Sequence, residues 1–272
     1  MSRIIVLGST GMLGHKMLER LRLHYMDVEG LSREDGLWVG NREATDKLFR
    51  GIKPEVVINC VGYVKQRSPH IVTNIQTNAL FPHYLQGWCE DWGARLIHFS
   101  TDCVFSGNKG SYTEGDIPDP EDIYGRTKVL GEVVGVNTLT LRTSIIGREK
   151  KYKTGLLEWF LKQKGKVPAY TNVIFTGVTT NWLSDLTASL LKDKSLEGLY
   201  HIASRPISKY YLLSIFRDVY DKGDVDLDPV ESPICDRSLI GNAFEEATGV
   251  EQPDLDDMIP EQRFQDQGLY AV

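Results

Sequence analysis

Three side chains in this 272-residue chain stand at spacings that could move a proton onto a carbonyl. Tyr124 and Lys128 bracket the run Tyr124-Gly125-Arg126-Thr127-Lys128, and residues four apart share one face of a helix. An ammonium one turn from a phenol favours the phenolate, which predicts a Tyr124 pKa below the usual value of about 10. A tyrosine tuned in this way gives its proton to a carbonyl oxygen as hydride arrives at the carbon. Ser100-Thr101-Asp102 follows an apolar run that reads as a strand. Ligand crevices lie outside the carboxyl ends of parallel strands, so Thr101 is placed to hydrogen-bond the same oxygen. Alone, Tyr-x-x-x-Lys also describes an exposed amphipathic turn; the pair gains meaning from what precedes it.

Hydride needs a carrier. Gly8-Ser9-Thr10-Gly11-Met12-Leu13-Gly14 follows a short apolar run and opens a segment with apolar residues at helical spacing. Glycine lets the backbone turn tightly and approach a pyrophosphate, and the first N–H groups of the helix then face the anion. Gly8, Thr10, Gly11, Met12, Leu13 and Gly14 are therefore the candidate cofactor-binding residues; a plain glycine-rich turn is the alternative. The second strand runs into Leu31-Ser32-Arg33-Glu34-Asp35. An arginine here can hold the 2′-phosphate of NADPH, whereas an acidic residue favours NADH. Arg33 comes first, which favours NADPH; Glu34 and Asp35 leave NADH open, and Arg33 could equally be a solvated surface charge.

The elements that must position these groups alternate. Residues 3–7, 26–31, 55–61, 95–100 and 138–142 read as strands. Residues 12–23, 44–50, 71–91 and 124–134 read as helices, with a loop over 105–122. Strand alternating with helix predicts a Rossmann-type α/β fold, a doubly wound parallel sheet covered on both faces. Beyond residue 147 the pattern mixes: helices near 155–163, 181–192 and 208–220 and a strand at 198–202. With the glycine loop this predicts a dinucleotide-binding domain over 1–147, completed by segments near 173–204, and a smaller second lobe over 148–272 interleaved with it rather than tethered. The proline-marked tail from 223 reads as acidic, with Asp254, Asp256 and Asp257 at a solvated turn or helix start.

Composition excludes several classes. The 31 Lys and Arg against 37 Asp and Glu give a net charge of -6, so an overall basic footprint for nucleic acid is absent. No stretch approaches the roughly 20 apolar residues of a membrane span. The four cysteines form no CxxC pair and the six histidines no metal-ligand spacing, which fits a soluble cytoplasmic protein without a metal. His98 reads as a hydrogen-bonded core residue, and Trp88 and Trp92 as core or subunit-contact residues.

Several of these motifs occur together in one family. GSTGMLG (8–14), VVINCVG (56–62), STDCVFSG (100–107), YGRTKVLGE (124–132) and LRTSIIG (141–147) resemble, in order and spacing, the extended short-chain dehydrogenase/reductases. The likeness is greatest to the dTDP-4-dehydrorhamnose reductase branch. The resemblance implies a Rossmann-type cofactor domain, a smaller C-terminal lobe over 148–272 that binds substrate, and reduction of a nucleotide-linked 4-keto-6-deoxyhexose with Thr101, Tyr124 and Lys128 as the catalytic trio. Tyr124 and Lys128 would also meet the cofactor, Lys128 at the nicotinamide ribose. Cys60, Val61 and Gly62 would line the cofactor, Thr101 and Asp102 would touch the sugar, and Asn78 would support active-site backbone. Lys65, as a substrate contact or an exposed loop lysine, and Arg142, as a substrate contact or a carboxylate partner, complete the candidates. Dimerisation through helices is implied as well. Two departures stand out: Cys103 where these reductases carry tyrosine and related dehydratases glutamate, and Ile145 near a tryptophan position. Cys103 disfavours dehydration. A nucleotide-sugar epimerase and a non-catalytic dinucleotide sensor remain as alternative functions.

Overall fold

Alternation along β1 (Ile4–Leu7) divides the core into two faces. Ile4 and Val6 pack with Met17 and Leu21 of α1 (Met12–Leu21) and with Leu183 and Leu186 of a later helix. Ile5 and Leu7 point the other way, into Phe49, Phe81 and Leu85. A strand apolar at every position is the signature of a sheet covered on both sides, and the computed structural model, which describes residues 3–37, 39–64, 70–192 and 195–270, has that architecture.

The sheet contains β2 (Val28–Leu31), β1, β3 (Val56–Asn59), β4 (Arg95–Thr101), β5 (Thr138–Thr143) and β10 (Gly198–His201), in that spatial order. Every pairing is parallel. β1 has β2 on one side and β3 on the other, so chain direction across the sheet reverses there. At such a switch point the connecting loops diverge and leave a crevice at the carboxyl ends.

On one face lie α2 (Arg42–Ile52), α3 (Ile71–Asn74) and α4 (Phe81–Trp92). Residues 71–92, read from sequence as one helix, are interrupted by a π-helical segment, Ile75–Leu80. Such widenings recur where a helix must turn a side chain toward a site. Here that side chain is Asn78. α5 (Ile123–Leu130) packs against the segment closely enough that a Cβ on Gly131, just past it, would stand 1.8 Å from the Asn78 carbonyl oxygen. Trp88 is buried against Phe49, with ring centroids 5.2 Å apart.

The remaining elements follow β5. They are β6 (Ile145–Ile146), α6 (Leu156–Leu161), β7 (Gly165–Tyr170), β8 (Val173–Phe175), β9 (Val178–Thr179) and α7 (Thr180–Leu190). After β10 come β11 (Ile207–Ser208), α8 (Lys209–Val219), β12 (Val225–Val230), β13 (Cys235–Asp236), α9 (Asn242–Thr248) and α10 (Leu255–Gln265). Their small sheets pair β7 with β12 and β6 with β9, and place β8 between β11 and β13. Phe160, Phe216 and Met258 of this half share one continuous apolar cluster with Val6 and Met17. The two halves therefore bury surface against each other rather than each enclosing its own core. α7 lies along α1, fixed by a two-pronged ion pair from Arg20 to Asp185 at 2.7 and 2.8 Å. Among the described residues, no helix is long and apolar enough to cross a membrane.

Candidate active site

The glycine loop is built for close approach. Gly8 has φ +76°, a conformation that side chains disfavour, and a Cβ on Gly14 would stand 2.1 Å from the Gly8 carbonyl oxygen. The loop therefore folds tightly onto the first turn of α1. Gly11 caps that helix without a side-chain hydrogen bond, and the first turn carries no acidic residue. Its leading N–H groups face the crevice uncompensated, as an anion site requires. Across the switch point, Asn59 Oδ1 accepts from the Val61 N–H at 3.1 Å and fixes the Cys60–Gly62 wall. Asn78 completes that wall: its Oδ1 accepts from the Tyr63 N–H at 2.8 Å and its Nδ2 donates to the Tyr63 carbonyl at 2.9 Å. The donor set and the close-packed glycines fit a dinucleotide pyrophosphate.

Two cavities meet along this wall. One, of about 360 Å³, takes in Met12, Leu13, Thr101, Asp102, Tyr124 and Lys128. The other, of about 230 Å³, takes in Gly8, Thr10, Ser32 and Arg33. Gly11, Cys60, Val61 and Gly62 line both. All of the expected catalytic trio and all of the expected cofactor residues except Gly14, which closes the turn from behind, thus border one continuous crevice.

α5 begins with Asp122, whose carboxylate caps the helix by accepting from the Gly125 N–H at 2.8 Å. This sets Tyr124 and Lys128 on the face toward β4. Gly125 is required there, since a Cβ would meet the Cys103 carbonyl oxygen at 2.3 Å. Lys128 is buried, its Nζ donating to the Phe99 carbonyl at 2.7 Å, and burial pulls its pKa down to about 8 while Glu132 pulls it up. The Tyr124 phenol departs from expectation. Burial, reinforced by Cys103 and Asp102, pushes its pKa above the usual value, with the Thr101 hydroxyl pulling the other way. Desolvation is the largest cause, and the Lys128 ammonium is anchored on the sheet. Tyr124 is thus held as a neutral phenol, a proton donor in waiting.

Thr101 Oγ1 donates to Asp102 Oδ1 at 3.1 Å and accepts from the Cys103 N–H at 3.2 Å. Burial raises the Asp102 pKa, opposed by Lys209 and Arg237. The Cys103 thiol is pushed up to about 12, chiefly by burial and then by Asp102, so it is no ready nucleophile.

Other expected residues sort differently. Asp35 is occupied: its carboxylate accepts from the Ser32 N–H at 2.8 Å and the Ser32 hydroxyl at 2.7 Å, capping a short 3₁₀ turn over Arg33–Asp35. Arg142 is a correction. It sits on β5 away from the crevice, buried, its guanidinium paired with both oxygens of Glu132 at 2.7 and 2.8 Å. Glu132 also accepts from the Ser100 hydroxyl at 2.6 Å. The carboxylate it meets is the chain's own, so of its two expected partners the structure shows the carboxylate, and through Glu132 Arg142 is tied to the strand that carries Thr101. Lys65 lies outside the described residues. His98 is buried, with its Nδ1 3.0 Å from Asn59 Nδ2.

Four contributors escaped the sequence reading. Lys209, the first residue of α8, reaches the catalytic cavity over the Phe175 ring, 3.7 Å from its centroid, and burial lowers its pKa to about 8. Glu149 is buried beside the same cavity and accepts from the N–H groups of Thr154 and Gly155 at 2.5 and 2.8 Å. Lys151 and Tyr152 border the second cavity. The last three lie in the basic run Arg148-Glu149-Lys150-Lys151-Tyr152-Lys153 between β6 and α6, a signal that was visible but unread.

Known proteins resemble this chain in sequence and in fold. A family model described as RmlD substrate binding domain matches residues 2–233. A protein described as a probable low-salt glycan biosynthesis reductase, from Haloferax volcanii, is 29% identical over 224 residues, spanning 74% of each chain. The methionine adenosyltransferase 2 subunit beta of Xenopus tropicalis is 24% identical over 262 residues, 84% of this chain and 75% of that one. In structure, the dTDP-4-dehydrorhamnose reductase of Bacillus anthracis, solved in complex with NADP, superposes with a TM-score of 0.86 at 20% identity, covering 97% of this chain and 99% of that one.

Proposed function

The chain belongs to the RmlD substrate-binding-domain family of extended short-chain dehydrogenase/reductases, and on that premise we propose that it reduces the keto carbon of a nucleotide-activated 4-keto-6-deoxyhexose with NADPH. The observation that carries this reading is the meeting of Thr101, Tyr124 and Lys128 in the cavity that adjoins the glycine loop. NADPH, or NADH in its place, supplies the hydride. Tyr124, kept protonated by burial, gives its proton to the keto oxygen, and Thr101 holds that oxygen by its hydroxyl. Lys128 is the nearby buried cation that stabilises negative charge developing on the phenol. Asp102 accepts from a neighbouring sugar hydroxyl. The elements after residue 147 that border the cavity, Lys209 and Phe175 among them, select the sugar.

A homodimer fits the surface. Ile71 and Val72 of α3, Leu80 just before α4, Leu130 at the end of α5, and Val134 and Val136 beyond it are exposed large apolar side chains on neighbouring segments. His83 and Gln86 of α4 tie the two segments together through the carbonyls of Leu130 and Val134. Burial of this face against a second copy accounts for it. A cytoplasmic location accords with the ligands, and neither nucleic acid nor a membrane is needed as a partner.

The test is incubation with NADPH and a panel of 4-keto-6-deoxy sugar nucleotides, with products identified by mass. Tyr124→Phe retains NADPH binding and loses about 100- to 10,000-fold in turnover. Full turnover in that variant refutes the assignment. The likeness to a subunit of methionine adenosyltransferase favours one second reading, a dinucleotide-binding regulatory protein. Tight NADPH binding with no turnover on any keto sugar would select it, and isomer formation without net NADPH consumption would select an epimerase.

A further inference from the structure

The segment from Arg148 to Gly155 forms a strap along the crevice. At the base, Glu149 holds the N–H groups of Thr154 and Gly155, and Arg148 pairs with buried Glu158 at 2.8 Å. Gly155 lies so close to the glycine loop's Met12 that a Cβ there would meet its Cε at 2.4 Å. At the tip, Lys150, Lys151 and Lys153 are exposed. The strap therefore spans the crevice: its base borders the catalytic cavity and its tip borders the adenosine-end cavity opposite Arg33. The tip meets the other wall where Lys151 Nζ lies 2.5 Å from Glu34 Oε1.

We propose that Lys151 is a cofactor-selecting residue that leaves Glu34 to bind the 2′-phosphate of NADPH together with Arg33, closing the strap over the adenosine end. This rests on the dinucleotide reading above. Three observations support it. Arg33 sits in the same cavity with no carboxylate partner among the described residues, so one cation is already free for an anion. Asp35, the other acidic group at this strand end, is spent on capping Ser32 and leaves Glu34 as the only carboxylate of the 3₁₀ turn directed at the strap. Lys151 and Glu34 are 44% and 74% exposed, so their pair is weakly held and a dianionic phosphate placed between Lys151 and Arg33 outcompetes it. With NADH the pair stays closed, or Glu34 accepts from the ribose 2′-hydroxyl. The same two residues then account for use of either cofactor with a bias to NADPH.

The experiment is titration of the full-length protein with NADPH, NADH, 2′,5′-ADP and 5′-AMP by calorimetry, with no sugar present. Lys151→Ala is expected to weaken NADPH and 2′,5′-ADP by about 10- to 100-fold and to change NADH and 5′-AMP by about twofold or less. Glu34→Gln, which releases the lysine, is expected to tighten NADPH and weaken NADH. Equal effects of Lys151→Ala on phosphorylated and unphosphorylated ligands, or none, overturn the proposal while leaving the dinucleotide reading intact. Failure of the unaltered protein to bind any of the four overturns both.

Discussion

Lys128 donates to the main-chain carbonyl of Phe99 at 2.7 Å, from one turn of α5 to the middle of β4. The bond anchors a buried ammonium on the sheet beside Tyr124. It also makes the fold sensitive to the proton that Lys128 carries, because burial lowers its pKa from 10.5 to about 8. Below about pH 8 the group is charged in folded and unfolded chains alike, and its burial destabilises the fold by about 3 kcal/mol. Between there and pH 10.5 the folded protein gives up the proton first, the unfolded chain binds more protons, and the penalty fades as pH rises. Lys128→Met carries no such titration. Urea denaturation at about pH 7 and about pH 10 therefore shows the unaltered protein gaining on the variant with rising pH. A gap that does not change with pH contradicts the burial of a charged Lys128. The variant also loses turnover, by about 100-fold or more.

The glycine loop makes a sharper steric prediction. A methyl group on Gly14 meets the Gly8 carbonyl oxygen at 2.1 Å, and a backbone atom in a turn that tight has nowhere to go. Gly14→Ala should cost about 1–3 kcal/mol of stability and displace the N–H groups that face the pyrophosphate, so NADPH affinity falls as well. Gly51→Ala, near the end of α2, serves as the control. Nothing lies within 4 Å of its added methyl, and alanine in a helix should stabilise by about 0.5–1 kcal/mol. Thermal melts and NADPH titration of both variants check the contrast.

How much of this was legible in the sequence follows from how local each signal is. β1 and β3 were readable because both faces of each strand are buried, which leaves apolar runs such as Ile4–Leu7 and Val56–Ile58 with no polar interruption. Tyr124, Lys128 and Thr101 were readable because a single helix turn and a single strand end set their spacing. The β7–β12 pair was not. Pro168 pairs with Asp228 and Pro229 with Ala169 within it, and proline argues against a strand unless the strand needs few ladder donors, as in a two-stranded ribbon. α10 carries Pro260 in its interior, so only its start at Asp254, Asp256 and Asp257 was legible, as one of two readings. Lys209 reaches Asp102 only through tertiary folding, from a helix more than a hundred residues further along the chain. The direction of the Tyr124 shift failed because spacing reports which charges are near but not how much water is excluded, and here exclusion dominates.

Arg142 tests the difference between a residue that binds substrate and one that braces the site. Its guanidinium is 4% exposed, holds both oxygens of Glu132, lies 3.2 Å from His201 Nε2 and stacks 5.2 Å from the Phe105 ring centroid. Glu132 in turn holds Ser100, the residue before Thr101. Arg142→Met leaves the Glu132 carboxylate buried and unpaired, which should cost about 3–5 kcal/mol. Glu132→Gln with Arg142→Met removes both charges, so most of that loss should return, because two buried ions cost desolvation that their attraction only partly offsets. A bracing role predicts that the doubly substituted protein, once refolded, keeps its KM for the sugar nucleotide while its thermal stability recovers. A substrate-binding role predicts the opposite split, with stability restored and KM raised about tenfold or more, since the lost charge-assisted contact would be to the ligand. Thermal melts alongside steady-state kinetics of the single and double variants decide between the two.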